Sequence, residues 1–286
     1  MSNKIVMLSD VHLCQGDWYN VPSEVRMEKM IADLNASYQK EPYDAIFFLG
    51  DYSLDHWVHG EGGSWLHHGI SNTKILFEDY LPRLECPVKY MIPGNHEQFG
   101  NQWWREATGN DRQFSVFQNG YLFIMLDTFG ENLDPTEDSD GTYKPVDVEY
   151  IKTEMAKYPD APVLLCSHFF AIRLESEEFK ELVKNEKRIL ALFCGHDHQH
   201  RVEAHASLGG KLIIHDGHFS YAGFIDPTRC PWGWLELRLM DEGVVCTYVY
   251  PSAEWTINEN PYVFHGGEGP MLQITREPDL PFPRLR

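Results

Sequence analysis

Five short apolar runs in this chain each end in a polar motif built from Asp, Asn and His, and no other feature limits the fold as strongly. Ile5 to Leu8 runs into Asp10-Val11-His12, Ala45 to Leu49 into Gly50-Asp51, and Val88 to Ile92 into Gly94-Asn95-His96-Glu97. Pro162 to Cys166 runs into Ser167-His168, and Ile189 to Cys194 into Gly195-His196-Asp197-His198. Short apolar runs bounded by turn residues read as strands buried on both faces. Parallel α/β sheets bind ligands in the crevice outside the carboxyl ends of their strands. Polar tips delivered from five strand ends therefore describe one sheet-based site.

The segments between the runs complete the fold class. After Ser23, the residues Met27, Met30, Ile31, Leu34 and Tyr38 recur at spacings of three and four, which predicts a helix with Ser23 as its N-cap. Helices are also predicted over Lys74 to Leu84 and from near Pro145, where Val148, Ile151, Met155 and Tyr158 share a face. Asn119-Gly120 predicts a hairpin between Gln113–Phe117 and Tyr121–Leu126, and Asp241-Glu242-Gly243 another between Trp232–Leu239 and Val244–Tyr250. Arg201–Ser207 and Lys211–His215 read as strands flanking Gly209-Gly210. βα units followed by antiparallel pairs predict an α/β fold, a four-layer αββα sandwich of two mixed β-sheets flanked by helices. The expected catalytic domain is 1–250. Beyond it, 251–286 carries repeated prolines and little periodicity, which predicts an irregular segment packed on the domain.

Charge and cysteine usage narrow the partners. A formal net charge of -19 repels polyanions, so long nucleic acid is not an expected partner. No apolar stretch nears the roughly 20 residues of a membrane helix, and the apolar run after Met1–Lys4 is too short for a signal peptide, so a cytoplasmic location without membrane attachment is expected. The six cysteines (Cys14, Cys86, Cys166, Cys194, Cys230, Cys246) show no paired spacing and read as free buried thiols rather than ligands.

One histidine after a strand is ordinarily a hydrogen-bonded loop residue. Five polar strand ends together supply carboxylate, amide oxygen and imidazole with no thiolate. That donor set suits Mn, Fe or Zn rather than Ca. Glycine before Asp51, Asn95 and His196 lets the backbone turn and approach an ion closely.

In order and completeness these motifs resemble the calcineurin-like metallophosphoesterases, whose pattern is D-x-H, G-D, G-N-H-[DE], H and G-H-x-H; the resemblance spans roughly residues 4 to 220. It implies that Asp10, His12 and His198 bind one cation, that Asn95, His168 and His196 bind a second, and that Asp51 bridges the two. A hydroxide between cations about 3.5–4 Å apart would then attack phosphorus in line. His96 would protonate the leaving oxygen or stabilise the alkoxide, and Glu97 would either orient His96 or make a structural link. Gly50-Asp51-Tyr52-Ser53-Leu54-Asp55 lacks the arginine of the serine/threonine protein phosphatases, and His12 stands where purple acid phosphatases have glycine. What remains looks most like the class III cyclic nucleotide phosphodiesterases.

The expected activity is therefore dinuclear metal-dependent hydrolysis of a small or nucleotide-type phosphodiester. The alternatives are a phosphomonoesterase with the same centre or a non-catalytic metal-binding interaction module. The loop 52–72, with His56, Trp57, His59, Trp65, His67 and His68, reads either as a substrate-contacting loop or as one packed on itself, and Trp103 and Trp104 either line the pocket mouth or anchor their loop to the core. His200, His205, His215 and His218 read as structural, with His218, in an Asp216-Gly217-His218 turn, the one of them best placed to border the pocket.

Overall fold

In the strand Lys4–Leu8, Ile5 and Met7 point into one hydrophobic core while Val6 and Leu8 point into another. The same alternation separates Ala45 and Phe47 from Ile46 and Phe48, and Phe123 and Met125 from Leu122 and Ile124. Strands apolar on both faces need cover on both sides, and this chain supplies it with a second sheet on one face and helices on the other. The structure, a computed structural model, describes residues 3–14, 17–18, 21–55, 71–98, 100–130, 141–220, 232–251, 253–257, 260–264 and 267–276.

Two six-stranded mixed sheets result. The first runs in the order Gly267–Thr275, Gly243–Tyr250, Trp234–Met240, Lys4–Leu8, Ala45–Phe48, Lys89–Met91, with the last three strands parallel. The second runs Val202–Ala204, Leu212–His215, Ile189–Cys194, Val163–Ser167, Tyr121–Leu126, Phe114–Gln118, its four central strands parallel. Side chains of both sheets fill the shared core. The helix Ser23–Lys40 and Trp104 of the helix Asn101–Thr108 cover the outer face of the first sheet, and the helices Val148–Lys157 and Glu177–Asn185 cover that of the second. This is the αββα sandwich expected from the sequence.

Local differences have physical causes. Ser23 is the first helical residue rather than the cap, because its Oγ accepts from Cys14 N at 3.3 Å and Arg26 Nη2 at 2.9 Å. The expected helix over Lys74–Leu84 is one α turn at Asn72–Ile75, a wide π-type turn at Leu76–Tyr80 and a 3-10 turn at Leu81–Arg83, with Pro82 inside the last. Asn119 and Gly120 both have positive φ, the geometry of a tight hairpin turn.

The tail is corrected from an irregular segment. Gly267–Thr275 pairs antiparallel with Gly243–Tyr250 as the edge of the first sheet, and Ala253–Ile257 pairs with Asn260–Phe264. An edge strand tolerates the proline at position 270 that made this stretch read as loop. Cys14, Cys86, Cys166, Cys194 and Cys246 are buried free thiols, and Cys230 lies outside the described residues. Among the described residues no helix is long and apolar enough to cross a membrane.

Candidate metal centre

The ends of the parallel strands of both sheets meet at one edge of the sandwich, and backbone hydrogen bonds lash their loops together. Asp10 N donates to Gly50 O at 3.0 Å, His12 N to Asp51 O at 3.1 Å, Gly195 N to His168 O at 3.0 Å and Phe219 N to Asp10 O at 3.2 Å. All seven residues singled out in the sequence are brought together there. Asp10, His12, Asp51, Asn95 and His168 are almost wholly buried, His198 is 8% exposed and His196 is half-buried.

Two trios of donors flank the Asp51 carboxylate. In the first, His198 Nε2 lies 3.2 Å from Asp10 Oδ1 and 3.1 Å from His12 Nε2, which is 3.5 Å from Asp10 Oδ1. In the second, His168 Nε2 lies 3.0 Å from Asn95 Oδ1 and 3.2 Å from His196 Nδ1, and those two are 3.0 Å apart. Asp51 Oδ2 sits between them, 3.4 Å from His12 Nε2 and 3.2 Å from His168 Nε2. His96 Nε2 stands 3.7 Å from the same oxygen, on a part-exposed ring.

The backbone is strained where the donors sit. Asp10, His12, Asp51, His196 and His198 have φ between 48° and 70°. For residues other than glycine this left-handed region costs about 1–2 kcal/mol each, and such strain persists where function over-determines the geometry. Glycines admit the close approaches. A Cβ on Gly50, at φ +101°, would lie 2.6 Å from Gly94 N and 2.8 Å from His168 Nδ1, and one on Gly94 would collide with the Asp51 carboxylate.

The electrostatics are those of a cage for positive charge. Burial raises the Asp51 carboxyl, but His168 and His96 outweigh it and hold it far below the usual range; burial is likewise overcome at Asp10, chiefly by His198. Burial lowers His168, but Asp51 and Asp10 carry it up to about 10; His198 is raised by Asp10 in the same way. His12, where burial prevails, falls to about 3. Asp10 Oδ1 is crowded by two ring nitrogens, His198 Nε2 at 3.2 Å and His12 Nε2 at 3.5 Å. His168 Nδ1 donates to Leu49 O at 2.7 Å, which turns Nε2 toward the cluster. Buried oxygens and ring nitrogens converging on one point, without a thiolate, fit a pair of divalent cations.

Several residues have roles that the sequence did not reveal. Of the two readings of Glu97, its hydrogen bonds match the structural link. Its Oε2 accepts from Asp51 N and Gly94 N, both at 2.8 Å, and its Oε1 from Tyr52 N at 2.9 Å, so it fastens the loop of Asp51 to that of Asn95. Buried Arg26 donates to Val11 O and Phe219 O, each at 2.8 Å, and to His12 O at 3.0 Å. Phe129 and half-buried Phe169 wall the second trio, Phe169 with its ring 4.4 Å from that of His196.

Other expectations are settled individually. Asp197 turns away and accepts from Arg201 Nη2 at 2.6 Å. His218 is fully buried, its ring 5.6 Å from and nearly parallel to that of His198, so it backs the cluster rather than bordering a pocket. Trp104 is core, while Trp103 is 37% exposed with its edge toward Phe77. Of the loop 52–72, residues 56–70, with all six of its histidines and tryptophans, lie outside the described residues.

Comparison with known proteins agrees with this geometry. The sequence model of the calcineurin-like phosphoesterase family matches residues 3–200. A probable glycerophosphodiester phosphodiesterase, GpdQ, of Arcobacter nitrofigilis is 23% identical over 233 residues, covering 73% of this chain and 76% of the relative. Among solved structures, a dimetal phosphatase from Danio rerio superposes with a TM-score of 0.62 at 12% identity, over 96% of this chain and 99% of the other. GAP50, described as the anchor in the inner membrane complex of Plasmodium, superposes with a TM-score of 0.55 at 13% identity, over 95% and 88%. At such identities these two structures show a shared fold.

Proposed function

As a member of the calcineurin-like phosphoesterase family the chain is a phosphoester hydrolase, and we propose that it cleaves small phosphodiesters of the nucleotide or glycerophosphodiester type at a two-cation centre. The observation that carries this reading is the placement of Asp51 Oδ2 between two complete nitrogen and oxygen trios. The fold by itself would not, since an anchor protein shares it.

In this reading Asp10, His12 and His198 would hold one cation, Asn95, His168 and His196 would hold the other, and Asp51 would be shared between them. Bound there, Mn, Fe or Zn ions would activate water and neutralise phosphoryl charge. The chain's own residues do the rest. The Leu49 carbonyl fixes the His168 tautomer, Glu97 sets the distance between the Asp51 and Asn95 loops, and the Phe129 and Phe169 rings keep bulk water from the second trio. His96, close to Asp51 and partly exposed, delivers a proton to the departing alkoxide oxygen.

Purified protein supplied with Mn is to be assayed on bis(p-nitrophenyl) phosphate, p-nitrophenyl phosphate, a glycerophosphodiester and a cyclic nucleotide. Diester turnover exceeding monoester turnover supports the reading, as does a His96→Ala variant that loses kcat with its metal content intact. A preference for the monoester would convert the enzyme to a phosphomonoesterase using the same centre. Inactivity on all four substrates with Mn, Fe and Zn would overturn the proposal.

A further inference from the structure

We propose that Ser9 and Asp216 form a relay that fixes the Asp10 carboxylate, which makes Asp216 a positioning residue for the Asp10, His12 and His198 trio. This rests on the two-cation reading. Ser9 and Asp216 are 1% and 0% exposed, and 207 residues apart in sequence. Ser9 Oγ hydrogen-bonds Asp10 Oδ2, and it lies 2.7 Å from Asp216 Oδ1 and 3.3 Å from Gly217 O.

The geometry fixes which carboxylate oxygen faces the imidazoles. Asp10 Oδ2 is engaged on two sides, by Ser9 and by His196 N at 2.8 Å, so Oδ1 is the oxygen turned toward His12 and His198. Ser9 has no freedom to leave. A Cβ on Gly195 would sit 2.6 Å from Ser9 Cβ and 2.7 Å from Asp10 Oδ2, so only glycine admits this packing. Asp216 is anchored in turn by its own N–H, which donates to Cys194 O at 2.8 Å at the end of the strand that delivers His196 and His198.

Hydrogen counting gives the relay its direction. A hydroxyl has a single proton to donate. With that proton on Asp10 Oδ2, the Asp216 contact is a hydrogen bond when the carboxylic proton of Asp216 is given to Ser9 Oγ. Burial, reinforced by the Asp10 charge, favours that protonated form. An asparagine amide at 216 can donate to Ser9 from the same place, whereas alanine cannot.

The test compares wild type, Asp216→Asn, Asp216→Ala and Ser9→Ala by equilibrium dialysis against graded Mn, with elemental analysis of bound Mn per chain and melting of the metal-free proteins. Wild type and Asp216→Asn should bind two Mn with similar midpoints. Asp216→Ala and Ser9→Ala should weaken one midpoint by about 10–100-fold and leave the other unchanged, an asymmetry that a general loss of stability would not produce. Asp216→Ala binding two Mn at wild-type midpoints overturns the relay alone, as does Asp216→Asn failing like Asp216→Ala. A wild type that binds no Mn overturns the two-cation reading and the relay with it. Should Asp216→Ala not fold, Ser9→Ala and Asp216→Asn still decide between these outcomes.

Discussion

Substituting Gly50 by alanine tests how tightly the cluster is fitted. The added Cβ would lie 2.6 Å from Gly94 N, 2.7 Å from Gly94 Cα and 2.8 Å from His168 Nδ1. The nearest of these is about 0.9 Å inside an ordinary ~3.5 Å carbon contact. Two of the three atoms are backbone, which does not swing aside, and the third belongs to a ring held by Leu49 O. Overpacking of this kind costs about 1–3 kcal/mol, and the positive φ of +101° adds about 1–2 kcal/mol once a side chain is present. The expected loss is therefore about 2–5 kcal/mol. At roughly 2–4 °C per kcal/mol for a chain of this size, calorimetry should show a melting point lower by about 4–20 °C. Relief must come through His168 or the Gly94 loop, and displacing a reacting group by about 1 Å costs about 100-fold in rate. Gly100→Ala is the control, because a Cβ there meets nothing within 4 Å and its φ is -58°. If Gly50→Ala melted within about 1 °C of wild type and turned over bis(p-nitrophenyl) phosphate within about twofold, the reasoning from this packing would be refuted.

Other perturbations follow from named contacts. Arg26→Met leaves the buried carbonyls of Val11, His12 and Phe219 without the guanidinium; unfolding in urea should show a loss of about 3 kcal/mol or more, only partly recovered by Arg26→Lys. Glu97→Gln sets an amide N–H₂ against backbone N–H groups on one side or the other, and should lower stability by about 1–3 kcal/mol in the same assay. Hydrogen bonds from Arg238, then the Lys4 and Arg238 charges, hold Glu41 at about 2, below its ordinary 4.5. Its contribution is thus complete above pH 4.5 and vanishes as pH falls toward 2. The stability gap between wild type and Glu41→Gln should therefore close over that window, and it should be modest because Glu41 is 43% exposed.

Much of the site was legible because each donor follows a strand, and strand ends announce themselves by composition. Asp10, Asp51, Asn95, His168 and His196 each follow an apolar run within a few residues, so order along the chain maps onto proximity in space. Glu97 was visible, but its role stayed open between orienting His96 and a structural link. Its neighbour in sequence, His96, suggested a partner, whereas its carboxylate reaches backbone amides of a loop about 45 residues away. Ser9, Arg26 and Asp216 were not legible, because their contacts join segments up to 207 residues apart and no periodicity encodes such pairings. Gly267–Thr275 was missed for a related reason. With Gly269 and Pro270 inside it, it lacks a strand's composition, and its edge position becomes apparent only once Gly243–Tyr250 is in place to pair with it.

The measurement that bears most directly on the account is an anomalous difference map from crystals grown with Mn. Two peaks about 3.5–4 Å apart are expected, one against Asp10, His12 and His198, the other against Asn95, His168 and His196, with the Asp51 carboxylate contacting both. A single peak away from Asp51, or peaks elsewhere on the molecule with this cluster bare, would contradict it.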